Sequence, residues 1–110
     1  MSIEEMIAGC GHKISVQRAV EARDALGGRT QSWFTVTVGV PAWVQDAAAA
    51  LVESYARRGL QVTHRIYVAQ DLELREGSRI VFGSRTFSVI GVTNAAGLDR
   101  LWQIDAKELL

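Results

Sequence analysis

The chain has 110 residues, enough for a single domain spanning 1–110 with one modest core, and 48% of them are apolar against 22% charged. Twelve basic residues balance twelve acidic ones, and neither sign gathers into a block, which argues against a tight nucleic-acid binder. The single cysteine, Cys10, excludes an internal disulfide, and the longest apolar run, Ala47 to Val52, is far short of the roughly 20 residues that cross a bilayer. The acidic start, Met1 to Glu5, has neither the basic segment nor the apolar stretch of a signal peptide, so the chain is expected to be made in the cytoplasm, a reducing compartment.

Residues 3–8 read as a short helical segment ended by Gly9 and Gly11; a helix of that length docks on something or frays. From Lys13 the period changes to two, with Ile14 and Val16 on one face of a strand. A polar stretch, Glu21 to Ser32, carries Gly27-Gly28 at its turn and reads as a long hairpin connection. In the second strand Phe34, Val36, Val38 and Val40 point to the core, while Trp33, Thr35, Thr37 and Gly39 point away. Pro41 then marks an edge or a bulge, and Ala42-Trp43-Val44 resumes the strand.

The one helix of normal length is expected over about 46–58, with Asp46 as N-cap, Ala48, Leu51, Val52 and Tyr55 as a thin apolar stripe, and Gly59 at its C-terminal stop. Glu53 and Arg57 stand at i,i+4, and Arg57-Arg58 sit at the negative end of the helix dipole. Beyond it, Leu60, Val62, His64, Ile66 and Val68 share a strand face, and Asp71 to Gly77 is an acidic turn. A tight hairpin covers 79–90, and a last turn at 94–97 leads to a final strand through Trp102, Ile104 and Ala106. Short connections and about six strands predict a mainly β fold, a small antiparallel β-barrel with one inserted helix and a short N-terminal helical segment.

Chemistry is thin along this chain. Cys10 and His12 lack companions to complete a zinc site, and His64 lies between Val62 and Ile66 on an apolar face, as a core or interface histidine does. The glycines match no phosphate-binding spacing, and the carboxylates are scattered through turns. No catalytic constellation, metal site, cofactor or small-molecule substrate is expected, and the chain is not read as an enzyme. Trp33 faces away from the core by parity, and a register shift at Pro41 would turn Trp43 inward; cover by the helix and a subunit contact both account for such aromatics. Tyr55 and Tyr67 join Trp33 and Trp43 as candidate interface residues.

Five short patterns in order then carry a resemblance. They are His12-Lys13-Ile14-Ser15-Val16-Gln17-Arg18, Asp24-Ala25-Leu26-Gly27-Gly28, Trp33, Thr63-His64-Arg65-Ile66, and Gly83-Ser84-Arg85-Thr86-Phe87-Ser88-Val89. Together, from about His12 to Glu108, the chain resembles the phage head–tail joining, or head-closure, family. It departs where that family often has Trp-Ala-x-Val and this chain reads Pro41-Ala42-Trp43-Val44, and where Val68-Ala69 replaces an Arg-Tyr continuation.

The resemblance implies a structural protein of the virion neck in a phage, prophage or gene-transfer particle. It implies a homo-oligomeric ring with a portal or head–tail adaptor above, a tail terminator or tail-completion protein below, and packaged DNA passing through without sequence specificity. The segment between the second and third strands, about Gln45 to Gly59, would close the channel, with Arg57, Arg58 and Glu53 facing it. The alternatives are an OB-like nucleic-acid-binding module, hinted at by Tyr67 beside Arg65, and another tail-completion protein of similar fold. No membrane partner is implied.

Overall fold

A computed structural model describes residues 3–75 and 77–110; Met1, Ser2 and Glu76, the last within the expected acidic turn, lie outside the described residues. The elements are α1 (Ile3–Gly9), β1 (His12–Arg23), β2 (Arg29–Asp46), α2 (Ala49–Ala56), β3 (His64–Val68), β4 (Arg79–Phe82), β5 (Arg85–Asn94) and β6 (Trp102–Leu109), with a 3₁₀ turn at Ala95–Gly97. The six strands pair antiparallel in the order β1-β2-β3-β6-β5-β4 and close into a barrel where β4 meets β1. Closure leaves the barrel itself no open edge.

Alternation explains the core. Ile14, Val40, Ala42, Ile66, Val68, Ile80, Phe87, Val89, Ile104 and Ala106 point inward and are fully buried, and Val44, Leu72, Leu74, Phe82 and Trp102 pack around them. The expected α1 docks through Ile7, which is buried. The Cys10 thiol lies 2.8 Å from the Ala42 carbonyl oxygen, and the Val44 N–H donates to His12 Nδ1 at 3.2 Å. Each of these two side chains thus serves to fasten the start of the chain to β2.

The second strand departs from expectation. Val40 is buried, but Phe34, Val36 and Val38 are 48%, 44% and 71% exposed, so they do not fill the core. Two register shifts in the β1–β2 ladder cause this: Ile14 faces Val40, Val16 faces Thr37, and Gln17 faces Thr35. Each inserts an extra residue into β2, and Gly39, at φ +67°, sits in the first. Bulges bend a strand and sharpen its twist. A methyl group at Gly39 meets open space, so the cost of Gly39→Ala is the left-handed backbone alone. A loss of about 1–2 kcal/mol is expected, read as a lower urea midpoint at unchanged m-value.

Past the bulges the hairpin leaves the barrel. The β4 ladder on β1 ends at Gln17, and the β3 ladder on β2 begins only at Ala42. Residues 18–23 and 29–34 therefore pair with each other alone, in an arm about 20 Å long at ordinary strand rise. The arm accounts for a long dimension of 56 Å against 33 and 27 Å, and for a radius of gyration of 15.1 Å where about 13 Å is usual at this length. Its tip is well made: Asp24 Oδ1 accepts from the Leu26 and Gly28 N–H groups at 2.9 and 2.7 Å, and Gly27 sits at φ +82°. The Asp-x-x-Gly-Gly pattern is the chemistry of this turn.

Candidate functional site

Antiparallel register sets the two ends of the barrel. The arm leaves by the end holding the start of β4 and the end of β3, while α2 is inserted at the other, between the end of β2 and the start of β3.

At the arm end, Val20 and Phe34 are exposed apolar side chains of the two-stranded ribbon, and Val36 and Val38 are exposed at its bulged base. A ribbon of this kind is marginal in water unless something packs on it. Trp33, half-buried on the opposite face, carries the Arg79 guanidinium 3.9 Å from its ring centroid and so pins the base of the arm to β4.

At the other end the helix is shorter than expected. It runs over Ala49–Ala56, not 46–58, and Asp46 is not its cap. Asp46 is instead the last residue of β2, paired with His64, and its Oδ1 lies 3.1 Å from His64 Nε2. The ladder runs on through the Ala47 N–H to the Thr63 carbonyl, which delays the helix; Ala48 holds the cap position with no side-chain cap bond. The expected stop at Gly59 is present: Leu60 N–H reaches the Tyr55 carbonyl and Gly59 N–H that of Ala56, with Gly59 at φ +76°. No residue of α2 is buried. Of the expected stripe, Leu51 and Tyr55 are half-buried, whereas Ala48 and Val52 are exposed.

Glu53 and Arg57 pair with each other at 3.2 Å in open solvent, a contact worth little to stability. Arg58 lies over the Tyr55 ring, 4.4 Å from its centroid. Trp43 stays outside the barrel opposite Tyr67, since the register shifts fall before Pro41 and Ala42 takes the inward position. These two aromatics share a shallow surface hollow with Gln45 and Leu101, and α1 borders Trp43 on its other side. The arm, α2 and the Trp43–Tyr67 pair are thus three separate surfaces.

Sequence reasoning missed a cluster under α2. Arg65, Asp105 and Gly91 are side-by-side residues of β3, β6 and β5. Asp105 lies between the inward Ile104 and Ala106 and so points outward, yet it is only 2% exposed. Arg65 Nε donates to its Oδ1 at 2.8 Å, and Tyr55 Oη donates to its Oδ2 at 2.6 Å. Burial, then its hydrogen bond to Asp105, raise the Tyr55 hydroxyl above the usual tyrosine range; Arg65's own hydrogen bond to Asp105 raises the guanidinium. A charged pair between neighbouring strands, roofed by a phenol, is a device for fixing a segment to the barrel wall.

Comparison with known proteins agrees with the architecture. The sequence profile of the family described as phage head completion protein matches residues 9–109. The solution structure of protein SF1141 from Shigella flexneri 2a superposes with a TM-score of 0.69 at 21% identity, covering 88% of this chain and 90% of that one, and so shares the fold. No curated protein matches. With 9–109 matched out of 110 residues, the chain belongs to the phage head completion protein family.

Proposed function

We propose that this structural phage-head protein assembles as a ring in the virion neck, joins the DNA-filled head to the tail and closes the DNA channel. Family membership gives the phage-head role, and the observation that carries the finer reading is the separation of two unlike surfaces on one barrel. An arm with uncovered apolar side chains leaves one end, suited to reach a neighbouring subunit. A thinly held segment bearing Arg57 and Arg58 hangs at the other, suited to face phosphate, and a ring multiplies such weak contacts. Portal or adaptor above, and tail terminator or tail-completion protein below, are the partners of this reading.

Cryo-electron microscopy of the native neck tests it. A ring of this chain between portal and tail, with residues 47–60 toward the channel, is the expected result. A ring with 47–60 on its outer wall keeps the joining role and removes the plug. Absence of the chain from the neck overturns the reading. The Trp43–Tyr67 pair favours one other reading, single-stranded DNA stacked on the outer wall. Tryptophan quenching by oligonucleotide that weakens steeply with salt would support it, and an unchanged signal would remove it.

A further inference from the structure

We propose that α2 is a strap latched to the barrel by Tyr55, and that it opens and closes as a unit while the barrel stays folded. The strap is a property of the single chain and stands or falls apart from ring assembly. The helix has eight residues, no side-chain N-cap bond and no buried residue, so neither its own propensity nor burial holds it in place. What it does have is one well-made contact. The Tyr55 hydroxyl reaches Asp105 at 2.6 Å, and Asp105 is already oriented by Arg65 at 2.8 Å.

The seat is shaped for that ring. Gly91 stands opposite Asp105, and a Cβ placed on it would come within 2.8 Å of Tyr55 Oη. Glycine there leaves the gap in the barrel wall that the phenol occupies. Asp105 keeps its Arg65 partner when Tyr55 withdraws, so opening strands no unpaired charge. Residues 48–61, between the Ala47–Thr63 ladder bond and the buried Val62, would then extend roughly 20 Å from the barrel and carry Arg57 and Arg58 with them.

Hydrogen exchange by mass spectrometry on the full chain tests the latch, comparing wild type with Tyr55→Phe and Gly91→Ala. The first variant removes the hydroxyl; the second keeps it and displaces it from its seat. Both are expected to speed exchange in the 52–60 peptide about tenfold or more, the worth of one hydrogen bond to a charged group, with β3 and β6 unchanged. Tryptic cleavage after Arg57 and Arg58 should quicken in parallel. Unchanged exchange of the 52–60 peptide in both variants, or acceleration spread evenly through the barrel, would overturn the proposal.

Discussion

Asp105→Ala is expected to cost about 3–5 kcal/mol, the largest loss from any single side chain in the outer wall. Removing the carboxylate leaves the Arg65 guanidinium half-buried between strands with no counter-charge, and takes the acceptor from the Tyr55 hydroxyl. Breaking one partner of a buried pair is far worse than never having had it, because the remaining charge cannot regain its water. The double variant Arg65→Met with Asp105→Leu, which removes both charges together, should recover most of the loss while leaving the strap unlatched. Urea denaturation gives the stabilities. If the single variant lost less than about 1 kcal/mol, the pair would be acting as a solvent-exposed one.

Much of the barrel was legible because alternation reports which side chains share a face. The strands at Ile14, Ile66 and Ile104 bury Ile14 with Val16, His64 with Ile66 and Val68, and Ile104 with Ala106, which period two places on shared faces. Leu60, placed with His64, instead lies exposed before that strand begins. Period two does not report whether a face is covered. Phe34, Val36 and Val38 look like a core face, yet the extra residues inserted near Gly39 and Val36 carry their strand beyond the barrel. Asp46 was misread for a local reason: an acidic residue before an alanine run is a good cap signal, but its pairing with His64 depends on a strand 18 residues away. Tyr55, Gly91 and Asp105 were illegible for the same cause in stronger form. They come together only because barrel closure brings β5 and β6 beneath the inserted helix, with Tyr55 and Asp105 50 positions apart. Gly91 and Asp105 look ordinary alone, and Tyr55 stands out only as a candidate interface residue.

The second large effect is expected at the arm and its bulged base, where Phe34→Asp, Val36→Asp and Val38→Asp are combined in one variant. All three side chains are substantially exposed in the single chain, so their replacement removes little packing. The monomer should fold with a stability within about 1 kcal/mol of wild type, since surface changes away from buried features cost little. Assembly should suffer far more. If the arm lies against a neighbouring subunit, three charged groups enter an apolar contact, and a loss of about 3 kcal/mol at each junction weakens each by about 100-fold. A closed ring repeats that loss at every junction. Complementation of particles that lack the protein gives the readout: titre should fall by about 100-fold or more, and head and tail should be recovered separately. A folded triple variant that restores full titre would show that the arm faces solvent in the particle, and would leave the outer wall around Trp43 and Tyr67 as the surface to test for the contact between subunits.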